Sequence, residues 1–559
     1  MGLSVSGKNL FPSNIQGLPT WFSIRVSPEG FVGRQEKADI FVAMNATSIV
    51  EDQDKLGTNG HFIYNGDFDS KIELNSDLNK TSIPFRDLIK EASPSVKMRK
   101  LLTNICYVGV LCELLEMDQK IVEGCIEDQF KGKASAIEPN LLAFRAGVNY
   151  AKENSLAKDF PYKVKANPGA NDSKILIDGN SASALGLLYG GCSVLAWYPI
   201  TPSSSLAENL VSYANKLRTT ADGKVNFANL QAEDELSAIN MVLGAGWAGA
   251  RAVTPTSGPG LSLMAEAAGL SYFAEVPAVI WDVQRAGPST GLPTRTMQGD
   301  VLSAQKLSHG DTEHVLLFPS NPEECFEFGQ ISLDLAEQLQ TLVIVLSDLD
   351  LGMNLWVSDE LKTVSGDYKR GKVLTAEQLN ELDSFNRYED RDGDGIPYRT
   401  LPGTKHMNAG YFTRGTGHNE DASYTEDPEV FKKLLDRLKK KTETAGGMVP
   451  QPEVDFKSDA DVAIIAYGST DFVIPEVRKL LSDKGLETSY LRIKATPLNS
   501  QLYDFIAKHK RVYVVEQNRD GQMKSIIGDN NLRSVLSYDG FPPNAGTIAS
   551  NILEQEAQS

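Results

Sequence analysis

The chain has little cysteine: five in 559 residues, Cys106, Cys112, Cys125, Cys192 and Cys325, none in C-x-x-C spacing. Scattered thiols support neither a zinc site nor a cysteine-bound iron–sulfur cluster, so no resident metal is expected in this chain. The six histidines, His61, His309, His314, His406, His418 and His509, lack ligand spacing, and no chemistry is assigned to them. No run of 18 or more apolar residues occurs, and "MGLSVSGKNLFPS" lacks the basic segment and apolar core of an export signal. A cytoplasmic protein with reduced thiols and no membrane association is expected. Basic residues are in deficit: 55 Lys and Arg against 73 Asp and Glu give a formal charge of −18. That charge opposes a nucleic-acid partner. Short repeats and low-complexity tracts are also missing.

What is present is a globular composition, 41% hydrophobic and 23% charged, in a chain too long for one ordinary core. Residues 1–164 alternate strand-like runs ("TWFSIRV", "ADIFVAM", "HFIYN") with polar turns and become helical from about Pro84 to Glu153. The polar "KANPGANDSK" at 165–174 reads as a linker. Between 175 and 352 the apolar runs "SVLAWY", "ARAVTPT", "PAVIWDV", "HVLLF" and "TLVIVL" alternate with helical stretches, the pattern of a parallel sheet covered on both faces. Residues 353–455 form a polar, Gly-rich connecting segment, in which the basic run "RLKKK" (437–441) is expected to be a solvated helix face. A further α/β pattern occupies 456–559, with "VAIIAYGST", "TSYLRI" and "RVYVVEQN" as strands. The fold class expected is α/β throughout.

Two motifs mislead. "GAGWAG" (244–249) satisfies G-x-G-x-x-G, but it closes a helix and precedes a strand, the reverse of a dinucleotide site. "DRDGDG" (390–395) resembles the start of a calcium loop, yet its twelfth position is Leu401 instead of Glu, so it reads as a turn.

Four stretches hold more chemistry. "WYPITPSSSLAENL" (197–210) carries a strand through a Pro/Ser/Thr turn into a helix whose free N–H groups suit an anion; it is either a ligand site or a well-capped helix start. In "LQAEDELSAIN", Glu235 shares a helix face with Ile239, Val242 and Gly246, which points it inward. An inward carboxylate needs either a structural cation or a ligand. "VTPTSGPG" (253–260) places hydroxyls and glycines after a strand, where doubly wound folds put ligand loops, though alone it reads equally as a plain turn. Arg285, at the end of the strand in "PAVIWDVQR", offers a planar fork for a carboxylate, with a surface ion pair as the alternative.

Taken together, "GNSASALGLLYGGCSVLAWYPITPSSSLAE", the run from Tyr198 through Asp300 and the C-terminal "VVEQNRDGQMKSII" closely resemble the alpha subunit of 2-oxoacid:ferredoxin oxidoreductases. "SGKNLFPSNIQGLPTWFSIRVSPEGFVGRQEKADIFVAMN" resembles the gamma domain fused ahead of alpha in many members. The resemblance implies a gamma domain over 1–164, without the first βα unit usual there, which predicts an exposed sheet edge or apolar face. It further implies a thiamine-enzyme pyrimidine-binding domain over 175–352 and a transketolase C-terminal-like domain over 456–559.

Thiamine diphosphate would be shared with a beta subunit that holds Mg²⁺ and the iron–sulfur cluster. Tyr198, Pro199, Ile200, Thr201, Glu235, Thr256, Ser257 and Gly258 match cofactor-binding positions. Of these, Glu235 would hydrogen-bond the aminopyrimidine and Thr201 would face cofactor and substrate, while Arg285 would hold the substrate carboxylate. The implied reaction is oxidative decarboxylation of a 2-oxo acid, 2-oxoglutarate first and pyruvate or a branched-chain acid otherwise. Its products would be acyl-coenzyme A and CO₂, with electrons passing to ferredoxin, in a heterotetramer. A non-catalytic scaffold subunit and a transketolase-like enzyme without electron transfer are the rivals.

Overall fold

Backbone contacts in the computed structural model, which describes residues 1–14, 18–69, 74–90, 92, 96–364 and 366–558, gather the chain into two units. The smaller comprises 1–3, 16–19 and 35–173, the larger 4–15, 20–34 and 174–559.

In the smaller unit the strands Ala38–Ala43, Leu56–Asn65 and Asn79–Ile83 pair in parallel in that order. Phe62, Ile63 and Ile83 are buried there. The helical stretch expected from Pro84 to Glu153 is built of Phe85–Leu88, Val96–Leu114, Gln119–Gln129 and Ala134–Glu153. Asp118 starts the Gln119–Gln129 helix by accepting the Lys120 N–H at 2.9 Å. Two glycines set the helix crossing: a Cβ on Gly109 would lie 2.0 Å from the Phe144 carbonyl oxygen, and one on Gly147 2.1 Å from that of Cys106. Any side chain there would force the Val96–Leu114 and Ala134–Glu153 helices apart.

The larger unit is organised by a seven-stranded sheet in the order Ala495–Thr496, Val315–Leu317, Leu342–Asp348, Ala278–Gln284, Ala252–Thr256, Val194–Trp197 and Ala228–Gln231. Every pairing except the first is parallel. Its central strands are apolar at successive positions because both faces are covered. Ala278 and Ile280 join Leu342, Ile344 and Leu346 in one core, whereas Val279, Trp281 and Val283 join Val343 and Val345 in the other. The doubly wound α/β architecture expected of this region is therefore what the chain adopts. A five-stranded sheet, Glu453–Asp455, Thr488–Ile493, Val462–Tyr467, Arg511–Glu516 and Arg533–Leu536, is parallel apart from its first strand.

Three features depart from the sequence reading. First, "TWFSIRV" lies outside the smaller unit's sheet. Trp21–Val26 pairs antiparallel with Val5–Leu10, which continues through Leu355–Asp359 to Lys174–Asp178 in the larger unit. The reason is chemical: Lys8 is 4% exposed and its ammonium meets both Asp350 oxygens, at 2.7 and 2.8 Å. Second, the stretch 353–455 contributes the strand Leu355–Asp359 and the helix Pro428–Ala445, so it is more than a connection. Third, the basic run on that helix is a solvated face only at Lys439 and Lys440. Leu434, Leu438, Lys441 and Ala445 recur at helical spacing and are buried, and Arg437 and Lys441 both engage the fully buried Glu275.

Candidate active site

Parallel strands end together, so the loops after Val194–Trp197, Ala252–Thr256 and Ala278–Gln284 converge at the carboxyl edge of the seven-stranded sheet. The first loop is Tyr198–Pro199–Ile200–Thr201, with Tyr198 37% exposed and Thr201 half-buried. Its hydroxyls do not cap the Ser204–Leu217 helix as expected. Ser203 and Ser204 turn back to the Ile200 carbonyl, at 3.0 and 3.2 Å, and the cap position makes no side-chain bond. Buried Asn180 completes the turn by donating to the Pro202 carbonyl at 2.9 Å and to the Ser205 hydroxyl at 2.8 Å. Backbone N–H groups at this helix start stay without side-chain caps, and the turn is held from behind.

Arg285 continues the Ala278–Gln284 strand and is 8% exposed. Its Nη1 donates to the Thr201 carbonyl at 2.9 Å, which joins two of the expected site residues directly. The loop beyond it, to Asp300, is fastened to the five-stranded sheet through Gln298. The Gln298 Nε2 donates to the Tyr467 carbonyl at 3.1 Å, and its Oε1 accepts from Thr470 and the Gln517 N–H at 3.0 and 3.2 Å.

Glu235 is the first residue of the Glu235–Trp247 helix, which Asp234 caps by accepting the Ser237 N–H at 2.7 Å. As its helix face predicts, Glu235 points inward and is 7% exposed, with Ile239 and Val242 fully buried below it. A Cβ on Gly260 would lie 2.1 Å from the Thr256 hydroxyl and 3.0 Å from Glu235 Oε1, so the carboxylate rests on the Thr256–Gly260 loop. Only glycine permits that approach. Among the described residues no donor reaches the Glu235 carboxylate, and the buried Ser257 hydroxyl has no partner. Gly258 is equally confined: a Cβ there would sit 2.8 Å from both Asp300 oxygens.

The structure thus links Thr201 to Arg285, and Glu235 to Thr256 and Gly260. Tyr198, Pro199 and Ile200 line the exposed turn without a direct bond to the other site residues. Sequence reasoning passed over Asp282 and Asp300, which sit between the two groups. Asp282 is fully buried in an otherwise apolar strand, and both it and Asp300 feel the Arg285 charge. A lone aspartate inside "PAVIWDV" was the available signal. Nearby, burial and then the Asp350 charge raise Asp348 to about 6; its Oδ1 accepts from Thr296 at 3.1 Å.

The residues fit a thiamine cofactor's demands. A nearly buried carboxylate without a donor suits an aminopyrimidine ring, and an unpartnered hydroxyl on a glycine loop suits close approach of a ligand. No group of three or more His, Cys, Asp or Glu side chains among the described residues is arranged to hold a metal ion. "DRDGDG" is a turn whose Asp392 and Asp394 carboxylates meet Lys372 at 2.6 and 2.8 Å. No helix among the described residues is long and apolar enough to cross a membrane.

Comparison with known proteins places these features in context. Residues 185–366 match the family profile described as pyruvate flavodoxin/ferredoxin oxidoreductase, thiamine diphosphate-binding. Residues 1–150 match that described as pyruvate ferredoxin/flavodoxin oxidoreductase. The chain is 29% identical to the alpha subunit of 2-oxoacid:ferredoxin oxidoreductase 2 of Aeropyrum pernix, over 94% of this chain and 88% of that one. It is 33% identical to the 2-oxoglutarate synthase subunit KorA of Methanocaldococcus jannaschii, over 61% of this chain and 88% of the relative. Its fold matches that of 2-oxoglutarate:ferredoxin oxidoreductase from Magnetococcus marinus, solved with 2-oxoglutarate, coenzyme A and succinyl-CoA bound. The TM-score is 0.88 at 30% identity, covering 99% of this chain and 94% of that one.

Proposed function

The chain belongs to the 2-oxoacid:ferredoxin oxidoreductases, as an alpha-type oxidoreductase subunit acting on 2-oxo acids, and from that premise we propose how its residues divide the work. The reaction is oxidative decarboxylation of a 2-oxo acid, with 2-oxoglutarate as the substrate and coenzyme A as the acyl acceptor. A beta subunit contributes Mg²⁺, an iron–sulfur cluster and the rest of the cofactor site, and ferredoxin receives the electrons. Bound thiamine diphosphate supplies the electron sink that lets CO₂ leave.

This chain's side chains supply orientation and proton control. Glu235, nearly buried at the helix start, would hydrogen-bond a ring nitrogen of the cofactor and hold the proton that selects its reactive tautomer. Thr256, Ser257 and Gly258 would hold the cofactor ring from the loop below Glu235. Tyr198 to Thr201 make the wall facing the substrate. Arg285, fixed by the Thr201 carbonyl, presents its remaining N–H groups to the substrate carboxylate and so holds the 2-oxo carbon in place.

The observation that carries this reading is the donorless Glu235 carboxylate above the Thr256–Gly260 loop, at the same sheet edge as an arginine already positioned by Thr201. The deciding experiment is viologen reduction by the complex isolated anaerobically on this chain from its native cells. Reduction that requires 2-oxoglutarate and coenzyme A together supports the reading. Reduction only with pyruvate or a branched-chain acid replaces the substrate. A complex containing thiamine diphosphate and a beta subunit that reduces nothing is the scaffold instead.

A further inference from the structure

Asp282 stands inside the apolar strand Ala278–Gln284, with no exposed surface, and neither of its carboxyl oxygens meets a hydrogen-bond donor among the described residues. A buried carboxylate without a donor is too costly to keep its charge. The group that faces it is the Asp300 carboxyl, whose Oδ2 also lacks an N–H or O–H partner. Asp300 is pinned there on three sides. Gly258 leaves room for both its oxygens, its backbone N–H donates to Gln284 Oε1 at 3.1 Å, and Gln298 fastens its loop. Asp282 is fully buried and Asp300, though half-buried as a residue, has its Oδ2 buried as well, so these facing oxygens are satisfied when one acid holds a proton and donates it to the other.

The cation acting on both acids is Arg285, whose Nη1 is tied to Thr201. The other charged groups at this end of the sheet are Glu235 across the Thr256–Gly260 loop, Asp348 on the neighbouring strand and the Lys8–Asp350 pair.

We propose that Asp282 and Asp300 share one proton behind Arg285, leaving the pair a single negative charge, and that this charge sets how tightly Arg285 holds a substrate carboxylate. The proposal rests on the reading of Arg285 given above. Both acids are positioning residues: neither is assigned a contact with substrate or cofactor, and each acts through the guanidinium. Burial, then the Asp300 charge, drives Asp282 well above the ordinary carboxyl range, and burial lifts Asp300 to about 6 against the pull of Asp282 and Arg285. The fully buried, donorless Asp282 is where that proton is expected to rest. A fully ionised pair would neutralise Arg285 more strongly, and an uncharged pair would leave it more attractive to anions.

The test uses the assembled enzyme, this chain with its beta partner. Infrared difference spectra of wild type against Asp282→Asn at neutral pH are expected to show the C=O stretch of one carboxylic acid in the wild type alone. Asp300→Asn, which removes the negative charge but keeps the shape, is expected to lower KM for the 2-oxo acid about fivefold, the effect of one charge removed from a partly solvated site. Its kcat should change less than its KM. A wild type without the carboxylic-acid band overturns the shared proton. An unmoved KM in Asp300→Asn, where Arg285→Lys raises KM, overturns the tuning and leaves the role of Arg285 intact. An unmoved KM in both variants overturns the reading of Arg285 and the tuning with it, while the band still reports on the proton. If Asp300→Asn fails to assemble, the wild-type and Asp282→Asn spectra alone decide whether the proton exists.

Discussion

Two clusters of carboxylates and basic side chains in the larger unit end in opposite states. Glu275 has no exposed side-chain surface, yet Arg437 meets it at 2.5 and 3.0 Å, Lys441 at 2.8 Å, and Arg387 donates to its backbone carbonyl at 2.9 Å. Burial works against its charge, but those cations hold it well below the ordinary carboxylate range. Asp282 is buried as deeply and Asp300 is half-buried with its Oδ2 enclosed, beside a single arginine, and both carboxyls are pushed above the ordinary carboxylate range, chiefly by burial. The difference lies in the count of partners. A carboxylate given more cations than it needs is fixed and silent, whereas one given fewer keeps bonding capacity in reserve. A nearly dry site at a sheet edge is where such a reserve is useful.

The largest test of that contrast removes another acid of the site that meets no donor among the described residues. Glu235→Ala is expected to lower turnover about 10²- to 10⁴-fold, the range for loss of a positioned proton-transfer group, while beta-subunit assembly is retained. Steady-state viologen reduction and gel filtration measure the two. Unchanged turnover would remove Glu235 from the mechanism. Next in size, Glu275→Ala leaves Arg437 and Lys441 buried without their counter-charge and should cost about 3–5 kcal/mol of stability, read by denaturant titration. The specific activity of its folded fraction should match wild type. If activity falls instead while stability holds, the assignment of silent and working clusters is reversed.

A smaller effect separates the clusters by pH. Glu324 belongs with Glu275: burial opposes its charge, but Arg492 at 2.6 and 2.8 Å, with Lys494, brings it down to about 2. Its folded value lies below the ordinary 4.5, so its contribution is complete above that pH and is lost as pH falls toward 2. For Asp300 the folded value of about 6 lies above the ordinary 3.8, so its ionisation destabilises the fold progressively as pH rises between those values. Asp300→Asn should therefore gain stability over wild type above pH 6 relative to below 4, while Glu324→Gln should lose most above 4.5 and least near 2. Melting curves across pH check both. The smallest effect is expected at the exposed Arg519–Asp520 pair, where Asp520→Asn should leave melting and turnover unmoved.

Much of the site could be read from local pattern. Helical spacing from Glu235 through Ile239, Val242 and Gly246 gave the inward direction of the carboxylate, and a strand end gave Arg285 its platform. The wall at Thr201 followed from a strand-to-helix turn, although the hydroxyls expected to cap it bond to Ile200 instead. What local pattern could not supply was partnership across distance. Asp282 looks like an interruption in an apolar strand until Asp300, in a separate loop, is brought against it. Lys8 looks like a surface lysine until Asp350 meets it, 342 residues away in sequence. The basic run was misread for a different reason: charge was weighed over period, though Arg437 and Lys441 lie four apart, on the same side as Leu434 and Leu438.

The Lys8–Asp350 contact also decides what a broken chain would do. Val5–Leu10 and Trp21–Val26 are interleaved in sequence with segments of the smaller unit but belong to the larger one's antiparallel sheet, joined there through the ladder with Leu355–Asp359. A single protease nick in the exposed stretch near Gly169 would leave the N-terminal fragment still threaded into the sheet of the C-terminal fragment. The two pieces would migrate together under native conditions and part only on denaturation. Inheritance as two genes cut at that point would yield a subunit pair clasped by a borrowed hairpin.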